Sequence, residues 1–300
     1  MSRARARIIY LGYRGGAAFL RAVPRPLGRA VAGGAALVAW GIGQQQRGVV
    51  AANLRRVLGA EAPPAALRST VRRAYVSYAM YWLEAARLDA SDPTVLARRV
   101  VVHHPERFIA AAARGRGLVV VLPHVGCWEA GAIWTASMGY PLLTVGEMLE
   151  PPELFTWFVN SRRRATLTVL PPGTATTAQL LSQLRTGQVV ALLADRDVIG
   201  GGLPTKFFGT ATPIPIGPAV LALRSGAAML PVAIYLARRG RFAIDFLPEI
   251  DTTRSGDFRA DVARLTSDMV RAFETLITRH PEQWHLFQAN WPAEKGPSGR

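Results

Sequence analysis

The sequence predicts an α/β fold, a mostly parallel central sheet flanked by helices, behind a helical N-terminal extension. Three observations carry this. From about residue 117 onward, short runs rich in β-branched and apolar residues recur, and helical segments alternate with them. The runs are apolar throughout rather than at every second position, as strands covered on both faces require. The first hundred residues contain no comparable series and read as helices broken by proline and glycine.

In the N-terminal part, VPRPLG at 23–28 breaks a first helix and GAEAPPAAL at 59–67 separates two later ones. The stretch AVAGGAALVAWGIG, residues 30–43, is the longest apolar run. It is too short to span a bilayer. It fits either a buried helix or one lying in the membrane interface between flanking arginines. LRSTVRRAYVSYAMYWLEAARL places Tyr75, Tyr78 and Trp82 on one helical face, a spacing usual for core.

The strand candidates are GLVVVLP, PLLTVGE, LTVLPP, QVVALLAD, AMLPVAIYL and RFAIDFLPEI. Between them lie the helical CWEAGAIWTASMG, PPELFTWFVNSRRR, TTAQLLSQLRTG and IGPAVLALRSG. DFRADVARLTSDMVRAFETLITRH is a closing helix, followed by PEQWHLFQANWP and a polar tail. The chain divides into a helical region over 1–100 and an α/β core over 101–300, within one continuous structural domain.

The formal net charge of +16 is the outstanding feature of the composition, and only Lys206 and Lys295 among the basic residues are not arginine. Such a surplus suits a polyanionic partner: nucleic acid, an acidic membrane surface or a phosphate-bearing substrate. No nucleic-acid-binding motif accompanies it. A single cysteine excludes an internal disulfide framework. The basic N-terminus, interrupted by arginines at 14, 21, 25 and 29, does not read as a secretory signal.

In LPHVGCWEAG, His124 follows a strand on the ligand-binding side of an open α/β sheet. If it lies in the turn before the helix, Glu129 can reach back to fix its tautomer and balance its charge. The alternative is a histidine capping the strand and a glutamate favoured by the helix dipole. Cys127 at a helix start is either a nucleophile or, more commonly, inert and buried. No further ligands at metal-binding spacing accompany these residues.

More of the chain matches a known pattern. HVGCWEAG, GEMLEPPELFTWFVNSRRR, LLADRDVIGGG, KFFGTATPIPIGPA, YWLEAARL and the closing WHLFQ together resemble the glycerolipid acyltransferase superfamily. Within it, the chain is most similar to the late acyltransferases of lipid A and to the phosphatidylinositol mannoside acyltransferases. The resemblance implies a glycerolipid acyltransferase-like fold and a catalytic His124 partnered by Glu129. It places Glu147 and Arg162 as an acid and an arginine on either side of a Pro-Glu-x-Phe helix. Cys127 stands where the family usually has asparagine, Glu129 replaces a frequent aspartate, and Lys206 stands where an acidic residue is common.

The implied reaction moves a fatty acyl group from acyl-CoA, such as palmitoyl-CoA, to a hydroxyl of a phosphatidylinositol mannoside, without a cofactor. Backbone N–H groups at the start of the Cys127 helix are candidates for the oxyanion site. Arg162 is a candidate phosphate clamp, while Arg163 and Arg164 read as a solvated helix end. Asp195, Arg196 and Asp197 end a strand and either face substrate or form an ion-paired loop. Phe207 and Phe208 line an acyl channel or pack the core. The implied location is the cytoplasmic face of the cell membrane, held peripherally by N-terminal arginines on anionic lipid. A sister enzyme acting on another glycolipid or a lysophospholipid is the alternative. A non-catalytic basic protein would leave His124, Glu129, Glu147 and Arg162 without a joint purpose.

Overall fold

The computed structural model describes residues 3–88, 98–164 and 167–291; the polar tail after Trp291 lies outside them. Four helices come first: α1 (Arg3–Ala22), α2 (Arg25–Ile42), α3 (Gln44–Leu58) and α4 (Pro64–Leu88). Proline opens both breaks, with Pro24 at the start of α2 and Pro64 at the start of α4, where a missing N–H costs nothing. The core follows as β1 (Val100–His103), α5 (Pro105–Ala113), β2 (Leu118–Leu122), α6 (Trp128–Ser137), β3 (Leu142–Val145), α7 (Pro152–Arg164) and β4 (Leu167–Leu170). It continues with α8 (Thr174–Arg185), β5 (Val189–Leu193), β6 (Leu203–Phe207), β7 (Thr210–Ile214), α9 (Gly217–Ser225), β8 (Ala228–Leu236), β9 (Phe242–Phe246) and α10 (Phe258–Arg279).

Seven strands form one sheet in the order β1-β9-β8-β2-β5-β3-β4. All neighbours run parallel except β8 and β9. The apolar character of the strands has its reason in this sheet's two cores. Val119, Val121 and Val190 pack with α9 and α10 on one face. Leu118, Val120, Leu122 and Ala191 pack with α5 and α6 on the other. Each fully buried Val or Leu is worth about 1.5–3 kcal/mol, so both faces must be covered. The fold class read from the sequence is the one observed. The β6–β7 hairpin, which overlaps the start of KFFGTATPIPIGPA, was not among the anticipated strands; its Pro204 faces Pro213 across the pair, and proline removes a ladder donor.

Helices α2, α3 and α4 share a third apolar cluster, with Val50, Leu54, Val71 and Tyr75 at its centre. The aromatic stripe is core, as its spacing implied: Tyr75 and Tyr78 pack on Phe287, at ring separations of 5.1 and 4.5 Å. Asn53 ties the helices to the chain's end, donating to the carbonyls of Leu286 and Gln288, each at 2.9 Å. The apolar run 30–43 is buried on one side of its helix only. Gly28, Ala32 and Ala36 of α2 are buried, while Leu27, Leu37, Val38 and Ile42 on the same helix are exposed.

Candidate active site

The site is built where β2 and β5 end. These strands pair in register, Leu122 opposite Leu193, so His124 and Asp195 each lie two residues beyond matched positions. The Asp195 carboxylate is wholly buried and takes both His124 groups: Oδ1 meets the ring Nδ1, and Oδ2 accepts the backbone N–H at 3.0 Å. Trp284 Nε1 donates to the same Oδ2 at 2.7 Å, and Asn290 holds the Asp195 carbonyl at 3.2 Å. Burial by itself would raise the Asp195 pKa, but the facing imidazole and these donors outweigh it and hold it below the ordinary carboxylate value. A charged carboxylate is therefore fixed against Nδ1, with the His124 side chain 26% exposed.

The turn carrying His124 is fixed from below. Gly126 has φ 60°, and a Cβ there would sit 2.0 Å from the Ile234 carbonyl, so only glycine fits. Its N–H donates to Gln283 at 3.0 Å, and that of Cys127 donates to Ile234 at 2.9 Å. These two N–H groups are consumed by the fold, so of the helix-start donors only those of Trp128 and Glu129 are left as oxyanion candidates. His285 N–H donates to the His124 carbonyl at 2.8 Å, joining the closing WHLFQ segment to the same turn.

Glu129 is the second correction. Its carboxylate accepts from Arg162 at 2.6 Å and from the Tyr81 hydroxyl at 3.0 Å, not from the His124 ring. Helix α6 starts with Cys127 as its cap and points Glu129 down into the protein, where both Glu129 and Arg162 are buried. Arg162 also lies over the rings of Phe158 and Trp128. Burial, then the neighbouring Glu129 charge, pushes the Tyr81 phenol and the Cys127 thiol well up. Cys127 is thus a protonated, buried thiol rather than a nucleophile. Arg162 is committed to Glu129, which removes it as a free phosphate clamp.

The remaining sequence candidates separate. Glu147 and Arg196 form an ion pair of 2.9 Å on the rim, beyond the ends of β3 and β5. Asp197 caps its own loop, accepting from Gly200 and Gly202 at 2.9 and 2.8 Å. Phe207 is fully buried against Trp284 and Trp291, which makes it core rather than channel wall. Phe208 is partly buried beside it, its N–H bound by Glu274. Lys206 and Arg163 are exposed, and the Arg164 side chain lies outside the described part. Sequence reasoning missed Trp284, Asn290, Tyr81, Gln283 and His285 as site builders; all but Asn290 belong to, or border, the YWLEAARL and WHLFQ segments.

A histidine backed by a buried, charged carboxylate at the carboxyl end of a parallel sheet is equipped to take a proton from a bound hydroxyl. The chain matches the family model for bacterial lipid A biosynthesis acyltransferase over residues 2–292. It is 35% identical over 289 residues to a phosphatidylinositol mannoside acyltransferase of Mycolicibacterium smegmatis, covering 95% of this chain and 91% of the relative. It is 37% identical over 254 residues to one from Mycobacterium tuberculosis, covering 83% of this chain and 78% of the relative. The chain belongs to the bacterial lipid A biosynthesis acyltransferase family and is an acyltransferase of lipid metabolism.

Proposed function

We propose that this chain transfers a fatty acyl group from acyl-CoA to a hydroxyl of a phosphatidylinositol mannoside, with His124 as the base. The observation that carries the reading is the Asp195 carboxylate bound to His124 Nδ1, which leaves Nε2 as the nitrogen available for an acceptor. His124 Nε2 takes the hydroxyl proton as the acceptor oxygen attacks the thioester carbonyl. When the tetrahedral intermediate collapses, the C–S bond breaks and the same proton passes to the departing thiolate. Asp195 holds the ring and stabilises the imidazolium in between. The names of the mycobacterial relatives support the acceptor.

Peripheral binding to anionic membrane is part of the same reading. Ile8, Leu11 and Phe19 of α1, with Leu27, Val38 and Ile42 of α2, are exposed apolar side chains. They alternate with arginines at 3, 5, 7, 14, 21, 25 and 29. This mixture suits a helix pair lying in a head-group layer. Among the described residues, no helix is long and apolar enough to cross a membrane. The cytoplasmic face is the side on which acyl-CoA is available.

The test is palmitoyl-CoA turnover by the purified protein with and without mono- or dimannosylated phosphatidylinositol, alongside His124→Ala. Acceptor-dependent transfer lost in the variant supports the reading. Turnover that survives the substitution overturns it, and equal hydrolysis without acceptor makes the protein a thioesterase instead. Flotation with liposomes tests the membrane part, and no preference for anionic lipid rejects it.

A further inference from the structure

A groove of about 640 Å³ lies between α2, α4 and the turn joining β8 to β9, on the side of His285 and Gln283 away from the His124 ring. We propose that it is a binding site for a phosphate group of one of the two substrates. Which substrate supplies that phosphate rests on the function proposed above; the site itself rests on what lines the groove.

Five arginines line it, Arg29 from α2, Arg72 and Arg73 from α4, and Arg238 and Arg239 from the turn. Two carboxylates accompany them. Glu84 is buried and shared by Arg99 at 3.0 Å and Arg29 at 3.6 Å. Glu282 stands 3.6 Å from His280. Arg72, Arg238 and Arg239 are exposed and have no carboxylate partner among the described residues. Like charges gathered on three elements repel one another, and an anion bound between them relieves that repulsion. Guanidinium forks match phosphate geometry with paired N–H donors.

The turn presents its arginines in a fixed way. Arg239 and Gly240 both take left-handed backbone, at φ 59° and 71°. Arg99 Nε binds the Gly240 carbonyl at 2.8 Å. A Cβ on Gly240 would meet the Arg29 guanidinium at 2.8 Å, so the turn is seated directly on α2. Leu37, Val76 and Met80 give the groove an apolar side, as an amphiphile or an adenine ring would need.

The groove also abuts the catalytic turn. Ser77 lines it and hydrogen-bonds His285 at 3.0 Å, whose N–H holds the His124 carbonyl. Gln283 lines it too; its side chain brackets Leu236 at 2.7 and 3.0 Å, and its carbonyl receives Gly126 N–H. Two hydrogen bonds, Ser77 to His285 and His285 to the His124 carbonyl, thus join the groove wall to the catalytic turn.

The experiment is calorimetric titration of the full chain with two probes. One is 3′,5′-ADP, representing the phosphates of the acyl donor. The other is short-chain phosphatidylinositol below its micelle concentration, representing the acceptor. The variants are Arg72→Gln on α4 and the pair Arg238→Gln with Arg239→Asn, asparagine being tolerant of left-handed backbone. Because the two variants lie on different elements, misfolding of one leaves the other informative. Arg185→Gln, on the exposed face of α8, controls for net charge. Both groove variants should weaken one probe by about tenfold or more, the loss of roughly one charge-assisted contact. The control should bind as wild type does. The probe affected identifies the substrate. No binding of either probe by wild type, or unchanged binding by the groove variants, overturns the proposal. Since the readout is binding, a failed His124→Ala activity test would sink the reaction and leave this site standing.

Discussion

Asp195 grips His124 at two points, the ring through one carboxylate oxygen and the backbone N–H through the other. The second contact matters as much as the first. It makes the carboxylate part of the turn that carries the histidine, so ring and acid move together. Trp284 Nε1 and burial then leave that carboxylate little freedom.

Asp195→Asn should therefore leave the protein folded and lower kcat by roughly 10³-fold, with KM little changed, because an amide no longer selects the Nδ1–H tautomer. Steady-state kinetics checks this beside near-ultraviolet circular dichroism. The lowered Asp195 pKa also fixes a sign. Its stabilising contribution is complete above the unfolded value near 3.9 and is lost as pH falls through the lower folded value. Activity lost above about pH 4 does not come from this carboxylate.

Glu129 and Arg162 are a buried pair, and their predicted signature is structural. Removing one charge strands the other, so Glu129→Ala should cost about 3 kcal/mol in urea unfolding. Glu129→Met combined with Arg162→Met should recover much of that loss. A Glu129 acting as the His124 partner would give the opposite result, a lower kcat at unchanged stability.

Gly126→Ala is the sharpest backbone test. The methyl group would enter the space of the Ile234 carbonyl, 2.0 Å away, at a positive φ. The turn must shift, taking His124 off Asp195, so activity should fall by at least about 10²-fold even where the protein still folds. Wild-type turnover in this variant would show that the turn tolerates more freedom than its contacts allow.

The fold was legible because its signal is local: buried strands are apolar throughout, and breaks carry Pro or Gly. The place of His124 at a strand end was legible for the same reason, since it follows GLVVVLP directly, while its catalytic role came from the resemblance. Its partner was not legible. His124 and Asp195 are 71 residues apart and meet only because β2 and β5 are sheet neighbours in register. Strand order is not written in periodicity, so Asp195 stood out only as a strand-end acid, while Glu129, nearer in sequence, looked the better partner. One helical turn decided otherwise, sending Glu129 inward to Arg162 and Tyr81. Phe207 failed for a related reason: an aromatic pair reads alike whether it lines a channel or fills a core, and here Trp284 and Trp291 enclose it.

His285 gives a pH prediction that separates from that of Asp195. Burial, and then the neighbouring His124, lower its pKa to about 3. The folded protein thus keeps this ring neutral, with Nε2 paired to the Ser77 hydroxyl at 3.0 Å. The unfolded chain protonates it near pH 6.5, so below that pH the unfolded state binds the extra proton and gains on the folded one. The stability present above pH 6.5 is lost as pH falls toward the folded value, by up to about 1.4 kcal/mol per pH unit. Urea unfolding midpoints measured between pH 7 and 4.5 should decline accordingly. His285→Gln, which can still bond Ser77, should flatten the decline while lowering stability at pH 7 only modestly. Because Asp195 contributes only at lower pH, a slope that persists unchanged in this variant would assign the proton uptake to another histidine and remove His285 from the account.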